Sequence, residues 1–295
     1  MQKIIFVTGK GGVGKSTYAA VLAQKYAKSG KKTLLVELGD QSYYQEFFSL
    51  PQGKVNYNPS PLESNLDLAL WSGEECLKEY ALYLLKSPML YKLFFENKVS
   101  KTLIQIAPAL QELAILGKIT AGPRQHGPPV KHEVIVVDSY ATGHFLSLMK
   151  APQGMAETIQ FGPMGEQSRS ILATLKREDL CEYHIVTLAE ELPMVETAEL
   201  KLKIEVLLGV TCHLVFNKIV LTELSSSELK LAATSEVKAL VQSSHFISFF
   251  KNILQQQEKF IGEIKAKGQS FQILPLEINK EVGAFLQALG EKGWQ

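Results

Sequence analysis

Nine residues constrain this chain more than any others. Gly9-Lys10-Gly11-Gly12-Val13-Gly14-Lys15-Ser16-Thr17 lie between a short apolar run, Ile4 to Val7, and a helix-periodic stretch carrying Ala19, Ala20, Leu22, Ala23 and Tyr26. A strand that ends in glycines and continues as a helix presents a ring of backbone N–H groups at the helix amino terminus, which suits the clustered charges of a triphosphate. Gly9, Gly14, Lys15 and Ser16 meet the G-x-x-x-x-G-K-[ST] spacing, and Gly11 and Gly12 let the main chain approach a phosphate closely. The expected ligand is ATP with Mg²⁺, cradled by Gly11, Gly12, Val13, Gly14, Lys15, Ser16 and Thr17. By position, Lys15 contacts the β- and γ-phosphates, Ser16 ligates the metal and Thr17 lies near the α-phosphate.

The helical pattern stops at Gly30, and Thr33 to Glu37 gives a second β-rich run, so the opening reads as a βαβ unit with a right-handed crossover. Val134 to Val137, His184 to Thr187, Cys212 to Phe216 and Ile273-Leu274-Pro275 are further short apolar runs, and helical stretches separate them. This alternation predicts an α/β fold of the P-loop type, a mostly parallel β-sheet flanked by helices on both faces, in one domain over residues 1–295. A content of 46% hydrophobic and 21% charged residues is enough to build its core.

Residues 74–122 have a different texture, helical and dense in Leu77, Tyr80, Leu84, Leu85, Leu90, Phe94 and Phe95, and read as a helical insert. Its apolar face either packs on the sheet or, around Met89, Leu93, Phe94 and Phe95, forms a groove for an apolar partner. Gly122 to Pro129 reads as a loop returning to the sheet, and Val282, Phe285, Leu286 and Leu289 as a closing helix that packs on the core.

A net charge of +1 gives no field that would draw in nucleic acid, so none is expected as a partner. Cys76, Cys181 and Cys212 are isolated, which indicates neither a disulfide framework nor a zinc clamp and fits a reducing compartment. The chain enters its first strand without an apolar leader, and no run reaches bilayer length, so a cytoplasmic protein with no membrane span is expected.

The loop K-G-G-V-G-K-S-T resembles that of the deviant Walker A family, which includes partition and division-site ATPases, nitrogenase iron protein, the arsenite-pump ATPase and the tail-anchored-protein targeting ATPase. The resemblance implies that Lys10 reaches across a dimer interface to the partner's nucleotide; without it, Lys10 reads as a solvated loop lysine. Val136-Val137-Asp138-Ser139-Tyr140-Ala141-Thr142-Gly143-His144 is similar to the D-T-A-P-T-G-H element of the arsenite-pump and tail-anchored-targeting branch, which partition ATPases lack. Asp138 at a buried strand's end is poised for the Mg²⁺ shell, with the following loop free to respond to the γ-phosphate; the alternative is a strand-end helix cap. His144 is either part of that element or a packed, helix-terminal histidine.

Pro108 to Gly117, Phe161-Gly162-Pro163, and Thr187 to Pro193 with Glu196-Thr197 also resemble bacterial arsenite-pump-like ATPases, so the likeness spans nearly the whole chain. Val215-Phe216-Asn217-Lys218 is similar to the family's strand ending in Asn, whose amide can pair with adenine, and Pro275 would line the same pocket.

The chain departs from the family at Glu37-Leu38-Gly39-Asp40, where Gly39 occupies the water-orienting position and the carboxylate has moved to Asp40. Asp40 is the candidate for orienting the attacking water, with Glu37 as the alternative. Dispersed cysteines weaken an arsenite cargo, and the absence of C-x-x-C weakens a zinc-bridged dimer.

The expected function is therefore a dimeric Mg-ATP-driven ATPase switch, a homodimer or a heterodimer with a similar chain, whose helical insert couples to capture of a client such as a hydrophobic protein segment. The alternatives are a spatial regulator of the partition or division-site kind acting on DNA or membrane, and a nucleotide-binding switch with little turnover.

Overall fold

In the computed structural model, which describes residues 2–85, 108–221, 241–277 and 281–292, the first apolar run is β1 (Lys3–Gly9), buried along all but its first residue. A strand covered on both faces cannot alternate apolar with polar side chains, and this one does not. The phosphate-loop residues follow, then α1 (Lys15–Lys28). The chain continues through β2 (Thr33–Leu38), α2 (Tyr43–Phe47), β3 (Ser60–Glu63), β4 (Leu66–Trp71), α3 (Gly73–Leu85), α4 (Pro108–Ile119) and α5 (Ala121–Arg124). It then forms β5 (Val134–Ala141), α6 (Thr142–Thr158), α7 (Pro163–Leu175), β6 (Cys181–Thr187) and α8 (Glu191–Leu208). Last come β7 (Cys212–Ile219), α9 (Val241–Ala266), β8 (Phe271–Pro275) and α10 (Val282–Lys292).

The eight strands form one sheet in the order β3-β4-β2-β5-β1-β6-β7-β8. Every pair is parallel except β3–β4. Its two faces carry separate cores, as helices on both sides require. Ile4, Phe6, Leu34, Val36, Ile135 and Val137 pack under α3, α4, α6, α7 and α8, while Ile5, Val7, Leu35, Val134 and Val136 pack under α1 and α10. This is the expected α/β architecture. β1 and β2 are parallel but not neighbours, because β5 lies between them and pairs with both. An all-apolar Val134-Ile135-Val136-Val137 finds complete burial only at such a central place.

The sequence reading missed the β3–β4 hairpin. Asp67 interrupts the apolar run of β4, yet its carboxylate is paired with His132 at 2.7 Å, so the strand tolerates it. The antiparallel β3 covers what would otherwise be an open edge. Gly122 to Pro129 is not wholly loop: Ala121–Arg124 forms one helical turn, pinned by Arg124 bonds to the carbonyl of Gly117 (2.8 Å), Thr120 (2.9 Å) and Gln167 (2.6 Å). Asp138 is not at a strand end, since β5 runs on to Ala141 and α6 begins at Thr142 with no loop between.

Within residues 74–122, α3 and α4 turn Cys76, Leu113, Ala114, Ile115, Leu116 and Ile119 into the core beneath the sheet. Met89, Leu93, Phe94 and Phe95, the expected centre of a groove, lie outside the described residues.

Candidate functional site

The site forms at the carboxyl ends of the central strands, where β1 has β5 on one side and β6 on the other. The loop after β1 holds two left-handed residues, Gly12 at φ 81° and Gly14 at φ 91°, and Gly14 is the residue from which α1 starts. A side chain at Gly14 would strike the Asn217 amide, and one at Gly9 the Val186 backbone. Nothing lies within 4 Å of where a Cβ would stand at Gly11 or Gly12, so the front of the loop is open. The first amides of α1 have no intrahelical acceptor and face this opening as an anion cradle. The buried Val13 side chain anchors the loop from behind.

Lys15 donates from Nζ to the Lys10 carbonyl at 3.0 Å, so its charge spans the loop. Burial lowers its pKa, partly offset by the charge of Asp138. Asp138 is the deepest carboxylate of the site, in register with Val7 of β1 and Glu37 of β2. Burial pushes its pKa up to about 6, against the opposing effect of the Ser16 and Tyr44 hydroxyls; Glu37 raises it further and Lys15 lowers it. Such a carboxylate, with a hydroxyl at its side and a second carboxylate nearby, is a hard-oxygen set that fits Mg²⁺, which Ser16 and Asp138 could hold.

Glu37 faces Asp138 but is fully engaged. Its carboxylate accepts from Ser42 Oγ and from the Tyr43 amide, both at 2.6 Å, and so ties the end of β2 to the start of α2. Burial raises its pKa and these bonds oppose the rise. Asp40 is exposed, beyond a Gly39 at φ 153°, and its charge acts on Tyr140. The register shift therefore takes it to the rim and leaves Glu37 beside Asp138. Thr17 is half-buried in the first turn of α1 and faces the Tyr43 hydroxyl.

Lys10 turns away from its own loop. Its Nζ meets Glu196 Oε1 of α8 at 2.7 Å, and both side chains remain about a third exposed at 34% and 39%. Asn217 is buried at 5% and clamps the loop, donating from Nδ2 to the Val13 carbonyl at 2.8 Å and accepting from its neighbour's amide, Lys218 N, at 2.8 Å. One amide hydrogen and one lone pair remain for a base. Pro275 is buried at the end of β8, opposite Ile219. His144 is exposed and stacks on Tyr140 with centroids 3.7 Å apart.

Sequence reasoning missed three contributors. Tyr44 is fully buried and donates to the Ser16 carbonyl at 2.8 Å while facing Asp138; nothing but its place in an aromatic run pointed to it. Glu196 is the partner of Lys10, and Lys218 reaches the Gly12 carbonyl at 3.4 Å. All depend on contacts between elements far apart in the chain.

Cys76, Cys181 and Cys212 are buried and free, with burial pushing each thiol up to about 12. No helix among the described residues is long and apolar enough to cross a membrane.

A family model described as anion-transporting ATPase matches residues 2–282. ATPase BagA of Mycobacterium tuberculosis is 29% identical over 252 residues, which cover 80% of this chain and 71% of that protein. The chain is also similar to an arsenical pump-driving ATPase of Acidiphilium multivorum, 25% identical over 59% of this chain and 30% of that one. ATPase ASNA1 homolog 1 of Paramecium tetraurelia is 28% identical over 52% of this chain and 44% of its own length.

Proposed function

The chain belongs to the anion-transporting ATPase family and is an ATPase, and we propose that it works as a Mg²⁺-dependent dimeric switch that couples ATP binding and hydrolysis to capture of an apolar client. The observation that carries this reading is the division of labour between two lysines of one loop. Lys15 points across the phosphate cradle, whereas Lys10 points outward to Glu196 on α8. A second cation rigidly based in the loop but unused by its own site is suited to complete the site of another copy, as an arginine finger does.

In this reading the amides of Gly11 to Thr17 and the ammonium of Lys15 hold the triphosphate, and the free edges of the Asn217 amide, with Pro275 beside it, recognise the adenine. Ser16 and Asp138 would hold Mg²⁺, which would supply positive charge to the phosphate oxygens. Tyr44 and Ser16 fix the Asp138 carboxylate in place. Asp40 orients the attacking water once the segment after Gly39 folds inward, with Glu37 as the anchor about which it moves. β5 passes directly into α6, so a shift at Asp138 is passed on through Thr142 and His144 to the helical layer.

The client would be a hydrophobic protein segment. A cavity of about 340 Å³ opens between α3, α4 and α7, lined by Leu77, Tyr80, Leu110, Leu113, Met164 and Ile171. It offers such a client an apolar surface, built from residues other than Met89, Leu93, Phe94 and Phe95. A switch with little turnover is the second reading, favoured by the rim position of Asp40.

Mixing inactive variants tests the proposal. Lys10→Ala lacks the donated lysine and Lys15→Ala lacks a functional cradle, yet a mixed dimer contains one complete site. Mixing should restore about a quarter of wild-type ATPase activity, from half the dimers carrying one of two sites. No recovery would show that each chain acts with its own Lys10 or not with Lys10 at all.

A further inference from the structure

One polar cluster plays no part in the nucleotide site. Glu182 and His184 are two residues apart on β6, and the period of the strand puts both on the face covered by α1. β7 pairs beside β6 with His213 opposite His184. The carboxylate oxygen of Glu182 and one ring nitrogen from each histidine lie within 4.8 Å of one another.

The surroundings hold these groups in fixed roles. Lys3 Nζ on β1 meets Glu182 Oε1 at 2.6 Å, which keeps the carboxylate ionised and turns its other oxygen inward. The Tyr18 hydroxyl donates its hydrogen to Gln272 Oε1 at 2.8 Å and lies 2.6 Å from His184 Nδ1. The neutral ring carries one hydrogen; with it on Nδ1, which then donates to the hydroxyl oxygen, Nε2 carries a lone pair. The lone pair faces Glu182 Oε2 at 3.3 Å. Two lone pairs, one of them on an anion, oppose each other beside a ring that is only 4% exposed. A cation between them relieves the conflict, as does the tautomer that carries its hydrogen on Nε2 and donates it to Glu182.

A proton would relieve it by creating a buried imidazolium, with a second imidazole, His213, tilted against it at a centroid distance of 4.9 Å. A divalent metal would take both lone pairs and His213 as well. The separation of 3.3 Å between Nε2 and Oε2 matches the spacing of roughly 3.4 Å between neighbouring ligand atoms about a tetrahedral ion with bonds of about 2.1 Å. Tyr18 and Lys3 then act as the outer groups that orient a metal-bound histidine and carboxylate.

We propose that Glu182, His184 and His213 form a binding site for a zinc-type divalent ion, three protein ligands with a fourth position open to water or an exogenous ligand. Tyr18 lies on α1 three residues after Lys15, so the ion joins β6 and β7 to the helix that starts at the phosphate loop. The buried cysteines are not involved.

The test uses the full chain, nucleotide-free and stripped by a chelator, titrated with Zn²⁺ against a chromophoric competitor and with Co²⁺ as a visible probe. One equivalent per chain should bind, with the absorption of a tetrahedral cobalt centre. His213→Ala and Glu182→Gln should each weaken Zn²⁺ binding at least ~tenfold, while changing Cys76, Cys181 and Cys212 together to serine should leave it unaltered. Should a variant fail to fold, ring-nitrogen NMR of the wild-type protein gives the answer, because one equivalent of Zn²⁺ must shift the resonances of His184 and His213. Binding below one equivalent, binding that survives both ligand variants, or histidine signals that do not move would overturn the site and leave a proton bridging Glu182 and His184.

Discussion

Lys10 of the phosphate loop and Glu196 of α8 form an ion pair at 2.7 Å, so the lysine proposed to serve a neighbouring copy is held by its own chain. Both groups are about a third exposed, and water screens such a pair to a worth of roughly 1 kcal/mol or less. It is weak enough to exchange when a triphosphate on another copy offers more charge. Glu196→Gln should therefore leave thermal stability within about 0.5 kcal/mol of wild type and tighten ATP-driven association severalfold, as measured by analytical ultracentrifugation. Weaker association in this variant would mean that Glu196 belongs to the closed interface itself.

Asp138 trades stability for chemistry. Its pKa rises from 3.8 to about 6 on folding, so the folded state binds the proton more tightly than the unfolded state does. The ionised carboxylate then costs stability as pH rises from about 4 to about 6, and the cost stays constant above that. Asp138→Asn, whose amide oxygen still accepts from the Ser16 hydroxyl, should stabilise the nucleotide-free protein by about 3 kcal/mol at pH 7. The gain should vanish near pH 4. Denaturant titrations across pH check this, and a destabilised variant would contradict it.

The same ionisation governs metal binding with the opposite sense. Mg²⁺ requires the carboxylate form, so the apparent affinity for Mg-ATP should fall by up to about tenfold per unit as pH drops below 6. Fluorescent-nucleotide titrations at fixed total magnesium would follow it, and a flat profile between pH 5 and 7 would remove Asp138 from the metal site.

Asp40→Asn should lower kcat by roughly 10²-fold with KM unchanged, the effect of losing a group that positions the nucleophile. Steady-state turnover measures it. Wild-type turnover in this variant would exclude Asp40 and leave Glu37 as the candidate for orienting the water.

Asn217→Ala leaves the buried Val13 carbonyl without its donor, which should cost about 1–3 kcal/mol of stability. It should also erase any preference for ATP over GTP, because the amide edges that remain are the ones assigned to the base. A variant that binds both nucleotides weakly but keeps the wild-type preference would make Asn217 a clamp for the loop alone.

Much of this could be read from the sequence because it depends on local pattern. The loop glycines, the continuous apolar runs of β1 and β5, and the register of Ser16 after Lys15 are set within a few residues. β4 escaped notice because Asp67 breaks its pattern, and its partner His132 lies 65 residues away. The role of Glu37 was half legible. Its place at the end of β2 was clear, but not that Ser42 and Tyr43 would claim its carboxylate. Tyr44 carries no motif, and Glu196 lies in a family-like stretch that gives it no role; both acquire meaning only when the fold sets them against Asp138 and Lys10. The cavity between α3, α4 and α7 shows the same limit, since α7 supplies one of its walls from outside residues 74–122.

The central claim is that ATP brings two copies together through Lys10. Light scattering coupled to size-exclusion chromatography, with ATP and Mg²⁺ and with the non-hydrolysing Asp40→Asn background to hold the bound state, tests it most directly. The account predicts a monomer without nucleotide, a dimer with ATP, and a monomer again when Lys10→Ala is added, although that protein still binds ATP. A Lys10→Ala protein that dimerises as readily as its parent, or a parent whose mass is unchanged by ATP, would contradict it.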